Sequence, residues 1–299
     1  MVNPLGVGPI GWVNDDLRDW GAERSGEEVM AEIAGLGLNG TEMSYRFPQD
    51  PAELKAALAG HGLVLSAAYR WANLASEQFH DEELELARQH VDFCHAAGAR
   101  FATFAEGTGS QHWDRRGPAQ QVTQLDEKSW ERLLSGLHRT GEYARSLGVR
   151  VTVHPHGGTA IETAEHTDRL LGSLDPDLAG WCLDTGHVLY GGADPVELSR
   201  RWAHRVDYVH LKDVRAEVLQ QARTAGWDFA TAVRNNIFCT PGAGLIDFRP
   251  VIAALRDVGY SGWYIIEAEQ DPARFDARTV TADALRYLDR ELGLKGTAE

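Results

Sequence analysis

The 299-residue chain predicts an α/β protein built as a closed (β/α)8 barrel. Three observations lead there. Short apolar runs alternate with longer amphipathic ones eight times, in units of roughly 30–40 residues with no low-complexity linker between them. The length suits a fold that commonly takes about 250 residues. Four of the apolar runs also end in metal-capable side chains: VTVHPH (151–156), WCLDTGH (181–187), YVHLKD (208–213) and WYIIEAE (263–269). Those ends meet only if their strands are parallel and close together. An open doubly wound sheet would call for a glycine-rich phosphate turn after its first strand, and Gly11-Trp12-Val13-Asn14-Asp15 is no such turn.

The elements follow in order. LGVGPIGW (5–12) is the first strand, and a helix over 25–37 opens on Ser25-Gly26-Glu27-Glu28, with Val29, Ile33 and Leu36 at helical spacing. GTEMS (40–44) is the second strand. Pro51 starts the next helix, with Leu54 and Leu58 on one stripe. LVLSAAY (63–69) is the third strand, and a helix over 82–98 closes at Gly98. RFATFAEG (100–107) is the fourth, followed by a polar loop and a long helix, 126–148. The fifth strand is RVTVHPH, with a helix from Glu162 to about 174; the sixth is LAGWCLDTG, with a helix from Asp194-Pro195. VDYVHLKD is the seventh, and its long connection (214–246) holds a helix-like piece and the loop TPGAGLIDF. The helix FRPVIAALRDVG leads to the eighth strand, GWYIIEAE, and a last helix covers about 279–292. One barrel domain over 1–299 is the expectation.

The formal charge is −15, from 44 acidic against 29 basic residues with no Lys/Arg-rich run. That argues against a duplex-DNA or anionic-membrane surface, where clustered cations neutralise phosphates. Neutral and cationic small ligands stay open. Cys94, Cys182 and Cys239 form no CxxC and no even set, and read as buried small hydrophobes. The N-terminus lacks a basic stretch followed by an apolar run, and no apolar segment approaches the length of a membrane span, so a cytoplasmic location is expected. A homo-oligomer is left open.

Strand side chains alternate between barrel lumen and helix layer, so parity assigns faces. His154 and His156 share a face with Thr152; Asp184 with Cys182; His210 and Lys212 with Tyr208; Glu267 and Glu269 with Trp263 and Ile265. Glu42 points opposite to Thr41 and Met43, and the fourth strand ends in Glu106. Taken singly, a histidine on an apolar strand reads as a hydrogen-bonded core residue. Four strand ends at compatible parity read as a mixed nitrogen and oxygen set for Mn, Co, Fe, Ni or Zn. The helix-borne His61, His80, His90, His95, His138, His166 and His204 read as outer-layer residues. Trp20, Trp113, Trp130 and Trp227 read as packing, with Trp113 and Trp227 able to wall a pocket.

DTGH, HLKD and a strand-eight glutamate resemble the xylose-isomerase-like barrels. TEMSYRFPQDP, AEGTGS, VTVHPHGGTAIET, DTGHVLYGGADP, HLKDVR, TPGAGLIDF and GWYIIEAEQDP, spread over 41–272, more narrowly resemble the inosose dehydratase family of inositol catabolism. The resemblance implies a metal-dependent hydro-lyase that dehydrates 2-keto-myo-inositol to a trihydroxycyclohexane-1,2-dione, with Mn²⁺ or Co²⁺ favoured and Zn²⁺, Fe²⁺ or Ni²⁺ possible. It implies Asp184, His210 and Glu267 as ligands, with His154 at the strand-five position where isomerases and epimerases carry a glutamate. His156, His187, Lys212 and Glu267 are then candidates for proton transfer, and Glu42, Arg46, Glu106 and Trp113 for substrate contact. Ala243 in PGAG departs from the acid expected there. A keto-sugar isomerase or epimerase is the alternative; an AP-endonuclease-type nuclease and a non-catalytic sugar-binding barrel rank below it.

Overall fold

The computed structural model describes residues 3–296. Nine parallel segments form one hydrogen-bonded sheet, and its two outermost segments, Val64–Leu65 and Ala67–Ala72, are successive pieces of a single strand interrupted at Ser66. Counted that way there are eight barrel strands: Leu5–Val7, Gly40–Thr41, the split third strand, Phe101–Glu106, Arg150–Val153, Ala179–Asp184, Val206–Leu211 and Tyr264–Ile266. The first pairs with both the second and the eighth, and the ring closes through the third. At the break, the Ser66 amide and hydroxyl both donate to the Thr41 carbonyl, at 2.8 and 2.9 Å. Tyr208 Oη, from strand seven across the lumen, donates to Ser66 Oγ at 2.8 Å.

Two apolar regions hold the barrel. Ala67, Cys182, Tyr208 and Ile265 fill the lumen with Phe101 and Trp263 beside them. A larger cluster lies between sheet and helices, where Val29, Ile33, Leu54, Leu58, Val91 and Leu170 sit on the amphipathic stripes that the sequence displays. The helix starts are capped by side chains. Ser25 and Glu28 complete a capping box, and Asp50, Asp126, Asp194, Asp247 and Asp276 each accept backbone N–H groups.

Several boundaries differ from expectation. The first strand stops at Val7 because Pro9, which has no N–H to give a ladder, begins a 3-10 turn over Pro9–Gly11. The fifth strand ends at Val153, so His154 and His156 sit on the loop beyond it. Thr163, not Glu162, caps the following helix (Ala164–Ser173), while Glu162 accepts the Gly158 N–H at 2.5 Å. A short helix, Thr185–Tyr190, starts directly from strand six. The long connection carries two helices, Ala216–Ala225 and Phe229–Arg234, and a hairpin pairing Asp213–Val214 with Phe238–Cys239. Asp213 shapes the PGAG loop by accepting the Gly242, Gly244, Ile246 and Val214 amides at 2.8–3.1 Å. Ala243 is exposed on that loop.

Closure through Ser66 yields a test. Tyr208→Phe should lower stability by about 1 kcal/mol, the net worth of one buried neutral hydrogen bond, read from the denaturation midpoint. An unshifted midpoint would remove the Tyr208–Ser66 contact from the forces that close the ring.

Candidate functional site

The C-terminal ends of the strands surround a cavity of about 310 Å³. Its lining includes Gly8, Asp15, Asp16, Arg18, Glu42, Tyr45, Tyr69, Trp71, Trp113, His154, His156, His187, His210, Glu267 and Glu269. Gly8 leaves the floor open: a Cβ there would lie 3.2 Å from Glu42 Oε2 and 3.3 Å from Glu267 Cγ.

The two motifs that end strands six and seven act as one device around Lys212. Asp184 splits its carboxylate: Oδ1 accepts the His187 amide at 2.9 Å and starts the short helix, while Oδ2 lies 3.2 Å from Lys212 Nζ. Thr185 Oγ1 donates to the Lys212 carbonyl at 2.7 Å and fixes that stretch of strand seven. Gly186 makes room for the lysine stem, since a Cβ there would lie 2.6 Å from Lys212 Cγ. His187 Nε2 lies 3.0 Å from Lys212 Nζ, and its Nδ1 accepts the Gly157 amide. From strand eight, Glu267 Oε1 lies 3.2 Å and Glu269 Oε2 3.0 Å from the same ammonium. Lys212 is 1% exposed, so these partners replace water outright.

The electrostatics follow from that crowding. Burial alone would lower the Lys212 pKa, but Asp184, Glu267 and Glu269 raise it well above the ordinary lysine value. Burial would likewise raise Asp184, yet the Lys212 ammonium holds it well below the usual carboxylate range. Glu269 is pushed up to about 7, chiefly by burial. Burial, followed by the charge of neighbouring groups, takes His156 and His187 well below the ordinary histidine value, so both are neutral near pH 7. In His156 the Nδ1 proton goes to the Gly157 carbonyl at 2.9 Å, leaving Nε2 unprotonated.

A second knot centres on His210. Its Nε2 lies 3.0 Å from Glu42 Oε1. Its Nδ1 lies 2.5 Å from Glu267 Oε2 and 3.4 Å from Asp184 Oδ2. Despite this closeness, His210 Nδ1 and Glu267 Oε2 are buried without a hydrogen-bond partner, as is His154 Nδ1. His210 Nδ1 and Glu267 Oε2, brought together without a hydrogen bond, suit shared donation to one cation. Glu42, His210 and Glu267 form one group of donor atoms within 4.8 Å, and His154, Asp184 and His187 form another.

His154, His156, His187, His210 and Glu267 line this mouth, and Asp184 and Lys212 pack against them outside its lining. Glu42 also reaches it, against His210 rather than apart as a hydroxyl-holding group. Trp113 lines it, stacked on Trp71 with ring centroids 6.1 Å apart. Two expectations need correction. Glu106 lies on the outward parity of its strand and binds the Ala75 and Thr108 amides at 3.1 and 2.9 Å, organising loops outside the cavity lining. Arg46 turns away to the Ala22 carbonyl, with its guanidinium over the Tyr45 ring.

The sequence reading missed Glu269, which the i+2 parity with Glu267 already placed on the inner face. It missed Tyr69 and Trp71, on strand three beyond the Ser66 break. It also missed Asp15 and Asp16, which sit in a loop where parity gives no signal. Asp16 Oδ1 accepts from Trp71 Nε1 at 3.3 Å, and Asp15 Oδ1 accepts the Tyr45 amide at 2.8 Å.

Comparison with known proteins adds to this geometry. A family described as xylose isomerase-like TIM barrel matches residues 30–291. An inosose dehydratase of Geobacillus kaustophilus is 44% identical over 293 residues, covering 97% of this chain and 95% of that protein. One of Lacticaseibacillus casei is 35% identical over the full length of both chains, 299 residues. Among solved structures, the IOLI protein with a bound zinc atom superposes with a TM-score of 0.71 at 14% identity, covering 96% of this chain and 97% of that one.

Removing the ammonium would leave three buried carboxylates without their shared partner. Lys212→Met should therefore destabilise the protein by roughly 3–5 kcal/mol, as breaking a buried ion pair does. The deficit should narrow as pH falls and the stranded carboxylates take up protons. Denaturation midpoints across pH check this, and a loss of the same size at every pH would contradict it.

Proposed function

Because the chain belongs to the xylose isomerase-like TIM barrels and, within them, to the inosose dehydratases, we propose that it removes water from 2-keto-myo-inositol. The product is a trihydroxycyclohexane-1,2-dione. The observation that carries this reading is the mouth itself, where neutral histidines and a set of metal-capable donors line one small cavity and the buried Lys212 ammonium sits against its carboxylates.

Asp184, His210 and Glu267 would hold a divalent ion, with His154 and Glu42 within reach as further donors. Mn²⁺ or Co²⁺ suits this mixed set, and Zn²⁺, Fe²⁺ or Ni²⁺ can also be taken. Such an ion supplies Lewis acidity that polarises the substrate ketone. His156 Nε2, its imidazole fixed by the Gly157 carbonyl, takes the proton from the carbon beside the ketone. Lys212, with His187 against its Nζ, delivers a proton to the hydroxyl on the next carbon, which leaves as water. The resulting enol rearranges to the dione. Glu267 orients Lys212 through Oε1 and sets Oε2 beside His210 Nδ1, where it would be a ligand to the ion. Trp71 and Trp113 give the ring a flat apolar wall, and Asp15 and Asp16 face its hydroxyls from the first loop.

The mouth suits a small uncharged polyol in the cytoplasm. None of the described helices is long and apolar enough to cross a membrane.

Purified protein supplied with Mn²⁺ or Co²⁺ should convert 2-keto-myo-inositol to a product with the ultraviolet absorption of an enolised dione. Asp184→Asn should lose metal and turnover together while its circular dichroism stays unchanged. Turnover of a ketohexose, with none of the inosose, would move the assignment to a sugar isomerase or epimerase.

A further inference from the structure

The turn that carries His156 is held from outside the cavity wall. Gly157 and Gly158 follow that histidine, so the peptide between them has glycine at both ends, with Gly158 at a φ of +73°. Neither position has room for a side chain, since a Cβ on either would lie 2.7 Å from the Phe229 side chain. A peptide between two glycines meets the fewest steric barriers to turning over. If it did so, the Gly157 carbonyl would leave the His156 Nδ1 proton, and that imidazole would be free to change tautomer.

Three contacts oppose such a flip. Glu162 Oε2 accepts the Gly158 N–H at 2.5 Å, and the Gln111 amide donates to the Gly158 carbonyl at 2.9 Å. The third is His112, whose Nε2 lies 3.2 Å from the Gly157 carbonyl oxygen that His156 Nδ1 meets at 2.9 Å. A carbonyl only accepts, so both imidazole nitrogens carry protons. Gln111 and His112 belong to the polar loop after strand four, which thus clamps the turn through two successive residues. The His112 ring is itself fixed, stacked on Phe229 with centroids 4.8 Å apart and edge-on to Trp71 at 4.7 Å. It faces a neighbouring cavity of about 490 Å³ and is absent from the lining of the mouth. Burial lowers its pKa, so it adds no charge beside His156 near pH 7.

We propose that His112 is a positioning residue for proton abstraction: by holding the Gly157 carbonyl in place, it keeps His156 in the tautomer whose Nε2 lone pair is free. The inference rests on the reading of His156 as the base. His112 itself exchanges no proton with the substrate. Its chain neighbour Trp113 walls the mouth, so one short segment both steadies the base and shapes the space for the ring.

Nitrogen-15 NMR of the full-length protein should show His156 as the Nδ1–H tautomer and His112 as the Nε2–H tautomer, with His156→Gln identifying the His156 signals. His112→Phe keeps an aromatic ring in the stack and removes the donor. It should mix the His156 tautomers and lower kcat for 2-keto-myo-inositol by roughly ten- to a hundredfold with KM unchanged, as a small misplacement of a reacting group does. His112→Gln, which returns an N–H donor of similar reach, should recover most of the lost kcat. An Nε2–H tautomer at His156 in the unmutated protein would overturn the proposal, and that reading stands even if His112→Phe does not fold. So would an unchanged kcat in His112→Phe, or a glutamine variant as slow as the phenylalanine one. If the unmutated protein leaves the inosose untouched, the reaction assigned above fails by itself, and the tautomers still decide whether His112 fixes His156.

Discussion

The barrel mouth depends on one ammonium group placed where three carboxylates need it. Asp184, Glu267 and Glu269 come from two strands, and none has enough water to carry its charge alone. Lys212 lies within 3.2 Å of all three, so its position fixes theirs. The neighbouring sequence serves that placement. Thr185 anchors the lysine's backbone, Gly186 clears its stem and His187 meets its tip. DTGH and HLKD are thus two halves of one charge-balancing unit, assembled by the pairing of strands six and seven.

The same balance sets what the cavity can admit. Glu42, Glu267, Glu269 and the Asp15–Asp16 pair face it, against Arg18, with the buried Lys212 ammonium held against Glu267 and Glu269. An anionic sugar would add charge to a site already short of countercharge. A neutral ring that offers hydroxyls to carboxylates and carbon–hydrogen faces to Trp71 and Trp113 would not. A divalent cation held there would relieve the same shortage.

Much of this was legible in the sequence because strands impose a period of two. Parity puts His154, Asp184, His210, Lys212 and Glu267 on one side, and eight alternations give the barrel. The period stops giving information where strands stop. Asp15 and Asp16 lie in a loop ordered by the Asn14 side chain, and no pattern in the sequence directs them inward. Arg46 lies on a turn, where its reach back to the Ala22 carbonyl is equally invisible. Glu106 was misread for another reason: it closes its strand but carries the outward parity, and a carboxylate at a strand end looks functional until its amide partners are seen. The break at Ser66 hid Tyr69 and Trp71, because a strand that changes neighbours midway reads as an ordinary apolar run.

Asp184 uses its two oxygens for different tasks, one holding the start of a helix and the other facing Lys212. The side chain has a single methylene with which to span both. A glutamate would carry the same charge, but its extra reach would move one oxygen away from the His187 amide or the other away from Lys212. This position is therefore constrained by length as much as by charge. Variation that retunes the mouth has more freedom at Glu269 or Glu42, whose carboxylates start no helix.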